Sequence, residues 1–254
     1  MNKRGVEASG RFEIEMPAPF DFSLTVSKPA GWHWSTPGEV FEKGALWTGC
    51  YVDGTPVGLK MIETKKTVAV SFYATSELTR DETALLRANV ELGLGRDEDL
   101  EAFYAFAEKD EILSVAARDL YGMRAGRLDD IFGRVILAIT LQMAPYKRSR
   151  DMMSSLLEAY GTKITFEGKE IALWPTPSEI ARLEPSELRH SASLGYRAER
   201  LIKSARYLAE HPISLKELSA ESEAEAMRRL KAVPGIGTYS ARLIFGRTSV
   251  PIDV

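Results

Sequence analysis

The stretch Leu230-Lys231-Ala232-Val233-Pro234-Gly235-Ile236-Gly237-Thr238-Tyr239-Ser240-Ala241 decides how this chain is read. Apolar residues at helical spacing run up to Val233 and resume after Gly237, so two helices meet at a Pro-Gly-x-Gly turn. Without a Cβ, Gly235 and Gly237 let their backbone N–H groups come close to a ligand. Thr238 is placed to cap the second helix, whose N-terminal dipole favours an anion. Outward backbone donors beside a helix N-terminus make a phosphate site that is indifferent to base sequence. An ordinary tight turn between two packed helices would read the same way, so the surrounding chain has to arbitrate.

Charge gives the first hint. The chain has 254 residues and a formal net charge of −3, which argues against bulk electrostatic coating of nucleic acid. The distribution is uneven: from Asp81 to Asp119 there are 11 acidic and 4 basic residues, and from Arg189 to Val254 there are 11 basic and 7 acidic. A basic C-terminal third on an acidic chain fits a local phosphate footprint. Cys50 is the single cysteine, so neither an internal disulfide nor a cysteine-built zinc or iron–sulfur site is possible. No apolar run is long enough to span a bilayer and no secretion signal opens the chain, so an intracellular, cytoplasmic protein is expected.

Period-2 alternation marks strands over Phe20 to Val26, Leu46 to Val52, Thr55 to Ile62 and Thr67 to Ala74, with Asp53-Gly54 as a hairpin turn. After Ser76 the period becomes helical, with helices expected over Thr79 to Leu94, Leu100 to Lys109, Glu111 to Tyr121, Leu128 to Met143, Asp151 to Tyr160, Arg197 to Glu210, Glu221 to Ala232 and Thr238 to Phe245. Shorter ones open at Pro177 and Pro185, and a small hairpin is expected around Gly168. The layout is α+β: an antiparallel sheet domain with helices over residues 1–112, then a helical domain over 113–254 with the two-helix hairpin at 221–246.

Three separated elements resemble the helix-hairpin-helix DNA glycosylase superfamily, which includes endonuclease III, the alkylation-base glycosylases and the 8-oxoguanine glycosylases. They are the Pro-Gly-x-Gly hairpin, the Leu194-Gly195-Tyr196-Arg197-Ala198 loop and helix start, and Ile139-Thr140-Leu141-Gln142-Met143 through Arg148. The resemblance covers about half the chain, from Leu128 onward. The alkylation and oxoguanine branches also carry an N-terminal antiparallel sheet, and Pro19-Phe20-Asp21-Phe22 with Trp32-His33-Trp34 is loosely similar to its opening.

The resemblance implies residue roles. Val250-Pro251-Ile252-Asp253-Val254 fills the place of the family's catalytic aspartate, so Asp253 is the expected carboxylate. Such a group stabilises an oxocarbenium-like sugar and orients or deprotonates the attacking water. Members with lyase activity carry a lysine two residues after the second hairpin glycine, which would form a Schiff base with the sugar. Tyr239 occupies that position, and Lys231 precedes the hairpin. An aromatic there resembles the alkylation-base branch, and a π face in the base pocket suits a cationic N-alkylated purine. The alternative for Tyr239 is a core aromatic.

The target base must leave the stack, and Tyr196 suits the wedge. Gln142 and Met143 lie where the family places a second wedge. Arg197 and Arg148 match positions facing the orphaned base, or serve as phosphate clamps. Gly235, Ile236, Gly237 and Thr238 form the DNA-binding hairpin. The expected activity is a monofunctional base-excision glycosylase acting on alkylated purines such as 3-methyladenine, with no cofactor or metal. Its partner is double-stranded DNA bearing a damaged base; it is expected to work as a monomer and away from membranes. The alternatives are an 8-oxoguanine glycosylase/lyase and a non-catalytic DNA-binding module. The Tyr239-to-Asp253 spacing is shorter than usual, and the chain stops one residue after Asp253 where relatives continue with further helices, which reads as a shortened product.

Overall fold

The computed structural model describes residues 3–5, 7–27, 38–65, 67–124 and 131–245. Trp32, His33, Trp34 and Asp253 lie outside the described residues. The chain forms two compact units, one of residues 1–128 with 163–173 and the other of 129–162 with 174–254. Among the described residues no helix is long and apolar enough to cross a membrane.

The first unit is built on a five-stranded antiparallel sheet. Strands β2 (Glu7–Glu15), β3 (Val40–Glu42), β4 (Ala45–Val52), β5 (Thr55–Glu63) and β6 (Thr67–Ala74) lie in the order β2-β6-β5-β4-β3. Asp53 and Gly54 both take positive φ, 45° and 79°, so the turn between β4 and β5 has the twist a two-residue hairpin needs. Val57, Leu59 and Met61 join Val68, Val70 and Phe72 on one face, covered by Leu86 and Val90 of helix α2 (Arg80–Gly93) and by its C-cap residue Leu94. That helix starts in a reciprocal capping box between Thr79 and Glu82.

The other face is covered by an excursion from far along the chain. Strands β7 (Thr162–Phe166) and β8 (Lys169–Leu173) form the hairpin expected around Gly168, and β1 (Lys3–Gly5) pairs parallel to β7. Gly49 and Gly58 stand opposite each other in the β4–β5 register. A Cβ on Gly58 would lie 2.4 Å from the Phe166 ring, and one on Gly49 would lie 2.7 Å from a Leu173 methyl. The two glycines thus clear the track on which Ile164, Phe166, Ile171 and Leu173 pack against Tyr73. The Phe166 ring stacks on that of Tyr73 with centroids 4.8 Å apart.

Two expectations are corrected here. Phe20 to Val26 is not a strand: Phe22–Ser27 is helix α1. The Asp21 carboxylate accepts from the Leu24 N–H at 2.7 Å, and Phe22 and Thr25, three apart, are the buried pair. A local side-chain cap won over an alternation too short to be decisive. The boundary at 112/113 also differs, because it would cut helix α4 (Glu111–Asp119), which follows α3 (Leu100–Ala107) in the first unit. Residues beyond α4 are tied to the sheet unit as well. The buried Arg124 guanidinium donates to the carbonyls of Gly95, Glu98, Pro17 and Pro19 at 2.8–3.1 Å, and Asp21 N–H donates to Gly122 O at 2.9 Å.

The second unit surrounds helix α5 (Ile131–Leu141), buried from Ile131 to Thr140. Against it pack α6 (Tyr146–Tyr160), α9 (Arg197–Glu210) and α12 (Thr238–Phe245). The helices α7 (Pro177–Ala181), α8 (Pro185–Ser191), α10 (Leu215–Ala220) and α11 (Glu223–Ala232) complete it. Helix α6 starts at Tyr146, five residues before the expected Asp151, because Pro145 takes the cap position and its carbonyl accepts from Ser149 N–H at 3.1 Å. Arg148 is therefore in a first helical turn rather than a loop.

Two stability predictions follow from the sheet unit. Gly58→Ala should lower unfolding free energy by about 1–3 kcal/mol through overpacking against Phe166. In a urea-unfolding double-mutant cycle, shortening Phe166 to Leu should recover part of that loss. The second concerns Glu167, whose carboxylate accepts from Lys60 Nζ and Tyr73 Oη and is held below the ordinary carboxylate range by those bonds. Its stabilisation is present above the unfolded carboxylate pKa and is lost as pH falls through the lower folded value. Glu167→Gln should therefore flatten the acid limb of a stability–pH curve below about pH 4.5. Tyr73, pushed up to about 12 by burial and by the neighbouring Glu167, stays protonated across that range.

Candidate nucleic-acid interface

The hairpin is built as its sequence requires. Ile236 N–H donates to Val233 O at 3.1 Å, closing a four-residue turn with Pro234 and Gly235 at its centre. Gly235 has φ +85°, the left-handed value demanded after a proline at the second turn position, where a side chain would strain the backbone. Ile236 is buried and anchors the turn, while Gly235, Gly237 and Thr238 are exposed. The Gly237 carbonyl accepts from Ala241 N–H at 2.8 Å. Gly237, not Thr238, therefore occupies the N-cap of α12, and Thr238 is its first helical residue. Gly237 differs from Gly235 in a second way: a Cβ there would meet nothing within 4 Å.

The carbonyls of this turn are held from behind. Ser204 Oγ, buried in α9, lies 2.6 Å from Pro234 O, and Gln142 Nε2 donates to Gly235 O at 3.0 Å. The N–H groups of Gly235, Gly237 and Thr238 meet no acceptor among the described residues. Oxygen atoms are thus consumed on the protein side while donors stay available, the polarity an anion site requires.

Gln142 sits just past the end of α5. Its main-chain carbonyl accepts from Arg197 Nε at 3.1 Å, from a second Arg197 nitrogen, and from Tyr196 Oη at 3.3 Å. Its side-chain Oε1 accepts from Arg200 at 2.6 Å. The guanidinium carbons of Arg197 and Arg200 lie 4.6 and 4.9 Å from the Tyr196 ring centroid, within cation–π range. Met143 follows with φ +50° and is 94% exposed.

Gln142, Met143, Tyr196, Arg197 and the hairpin are therefore one cluster, assembled from the end of α5, the start of α9 and the α11–α12 turn. Arg197 departs from the expected role. It is 3% exposed with its guanidinium spent on Gln142, so it braces the cluster instead of reaching towards a base or phosphate. Gln142 departs as well, since both polar atoms of its amide are engaged within the protein. Tyr196, 48% exposed, and Met143 remain the side chains that project. Tyr239 is 78% exposed, which removes the core-aromatic alternative. Arg148 is exposed on α6 and makes no hydrogen bond to this cluster among the described residues. Asp253 is not among the described residues. Sequence reasoning missed Arg200 and Ser204. Their signal was the spacing of Tyr196, Arg200 and Ser204, each four apart and therefore on one face of a single helix.

No family model matches the chain. The DNA-3-methyladenine glycosylase of Bacillus subtilis is 29% identical over 162 residues, covering 62% of this chain and 54% of the relative. The chain thus spans about half the length of that curated relative. Among solved structures, the 3-methyladenine DNA glycosylase of Archaeoglobus fulgidus superposes with a TM-score of 0.73 at 24% identity, covering 92% of this chain and 77% of the other. The 8-oxoguanine glycosylase/lyase of Clostridium acetobutylicum gives 0.62 at 14% identity, covering 96% and 80%. An antiparallel sheet unit and a helical unit carrying the Pro-Gly-x-Gly hairpin, together with these likenesses, give this chain the fold of the helix-hairpin-helix DNA glycosylase superfamily.

Proposed function

We propose that this chain is a base-excision DNA glycosylase that hydrolyses the N-glycosidic bond of alkylated purines such as 3-methyladenine without a lyase step. The observation that carries the reading is the polarity of the hairpin. Its carbonyls at Pro234 and Gly235 are bound by Ser204 and Gln142, its donors at Gly235, Gly237 and Thr238 meet no protein acceptor among the described residues, and Gly237 is small where the fold makes no demand for it. Such a turn takes a DNA phosphate whatever the sequence. The relative and structural neighbour named for 3-methyladenine support the choice of lesion class.

The chemistry needs few groups. The hairpin fixes the backbone beside the lesion, Tyr196 fills the gap as the base leaves the stack, and Tyr239 offers an exposed π face to a cationic purine. Asp253 supplies negative charge as the sugar becomes oxocarbenium-like and orients the attacking water. With a tyrosine in the lysine position, no amine is presented there for a Schiff base.

Gly237→Val should weaken binding to damaged and undamaged duplexes by similar factors, while the lost N-cap glycine costs the fold no more than about 1 kcal/mol. Fluorescence anisotropy with both duplexes checks this. A selective loss on damaged DNA would assign the hairpin another role. Asp253→Asn should lower single-turnover excision of 7-methylguanine by about a hundred- to a thousand-fold and leave duplex affinity intact. Borohydride should trap no covalent complex in the parent protein. A trapped adduct would overturn the monofunctional reading in favour of a glycosylase/lyase acting through a lysine such as Lys231.

A further inference from the structure

We infer that Gln142 is a positioning residue that couples phosphate capture by the 233–237 hairpin to the seating of Tyr196, and that its side chain does so without contacting DNA. The inference deepens the glycosylase reading and rests on it for the excision readout alone. The argument starts from the amide. Its Nε2 donates to Gly235 O at 3.0 Å and its Oε1 accepts from the Arg200 guanidinium at 2.6 Å. The reverse orientation would set oxygen against the hairpin carbonyl and NH2 against a cation, so the two partners fix the rotamer. Glutamate would keep the second bond and repel Gly235 O. Leucine would keep the bulk and lose both. Glutamine satisfies an acceptor on one side and a cationic donor on the other in one side chain.

Among the described residues, the hydrogen bond and the two cation–π contacts of the Tyr196 side chain all refer back to the same residue. Arg200 lies over the ring and is bound to the Gln142 amide. Arg197 lies over the ring and is bound to the Gln142 carbonyl, and Tyr196 Oη reaches that carbonyl directly. Arg200 also packs its aliphatic stem under the hairpin, its Cβ 3.5 Å from where a Gly235 Cβ would be. Ser204 ties α9 to Pro234 O as well, but among the described residues the Gln142 amide is the side-chain hydrogen-bonded link that joins the hairpin to Arg200, so a hairpin displaced on its phosphate would pull on the platform of Tyr196 through it. The main-chain bonds survive substitution, so Gln142→Leu tests the amide bridge specifically.

The experiment uses the full chain, a duplex with one 7-methylguanine, the same lesion in single-stranded DNA, and a duplex reporting unstacking through an adjacent 2-aminopurine. Gln142→Leu should leave the melting temperature within about 4 °C and the affinity for undamaged duplex within about threefold of the parent. It should reduce the 2-aminopurine response and paired-duplex excision by about tenfold, with less than about threefold loss on single-stranded substrate. Gln142→Glu should show the same pattern, because it also loses the hairpin bond. Adding Tyr196→Ala to Gln142→Leu should cost less than about twofold more, since the two act as one unit.

Multiplicative losses in the double variant, or equal losses on paired and single-stranded substrates, would overturn the coupling. If the parent releases no base from any substrate, the glycosylase reading fails while the fluorescence cycle still decides the coupling. A parent response that Gln142→Leu leaves unchanged, or no parent response at all, would reject it.

Discussion

A guanidinium withdrawn from water must find acceptors inside the protein, because an unpaired buried charge costs several kcal/mol. Arg197 finds them at the Gln142 carbonyl, at the point where α5 has ended and no longer supplies a helical partner for its last oxygens. The bond solves two problems together: it satisfies the cation at the start of α9 and an orphan carbonyl at the end of α5. Because α5 is buried up to Thr140 and Arg197 is buried at the start of α9, the bond fixes the relative position of the two helix termini. The hairpin is then referenced to this junction through the Gln142 amide and through Ser204. Three segments far apart in sequence share one local frame, and each side chain projecting from it inherits that precision.

The sheet unit solves a different problem. A five-stranded antiparallel sheet with apolar residues on one face and a cleared glycine track on the other needs cover on both sides. Helix α2 supplies one cover locally. The second comes from β7–β8, far later in the chain than the strands it packs on, and its seat exists only because Gly49 and Gly58 have no Cβ for Leu173 and Phe166 to strike. The turn residue Glu167 then locks the hairpin by accepting from Lys60 and Tyr73. The sheet unit is therefore discontinuous in the chain, and the β7–β8 segment belongs to it by packing, not by order.

What could be read in advance follows from how local each determinant is. The strands over 45–74, the long helices and the Pro-Gly-x-Gly hairpin are written in periodicity and turn chemistry among near neighbours, and they form where expected, except that α6 starts at Tyr146, ahead of the expected Asp151. Helix α1 was misread because Asp21 caps it through a single hydrogen bond that competes with a period-2 pattern of four residues. The unit boundary was misread because it depends on Arg124 reaching carbonyls near residues 17–19 and 95–98, a long-range choice with no local mark. In the candidate site, the segments were legible from their resemblance to a known family while the division of labour was not. Arginine at position 197 reads as a DNA-facing cation until its 3% exposure shows a brace. The exposed partner of Gln142 turns out to be Arg200, which only helical spacing could have suggested.

The positions that the fold does not explain are as informative as those it does. Gly235 is required internally, since its φ of +85° would strain any side chain. Gly237 has no such demand and no neighbour within 4 Å of a Cβ, yet it is glycine, which leaves its backbone open to approach from outside. Met143 holds a left-handed backbone that costs a non-glycine residue roughly 1–2 kcal/mol, and at 94% exposure its side chain recovers almost nothing by burial. Tyr239 exposes 78% of an aromatic one residue beyond the start of α12. A scaffold selected for stability alone would place a capping side chain at 237, a glycine or asparagine at 143 and a polar residue at 239. Stability is forgone at all three, two of them on the hairpin and its helix and the third beside the residue that anchors it, which is where a surface that completes itself on a DNA strand would concentrate its cost.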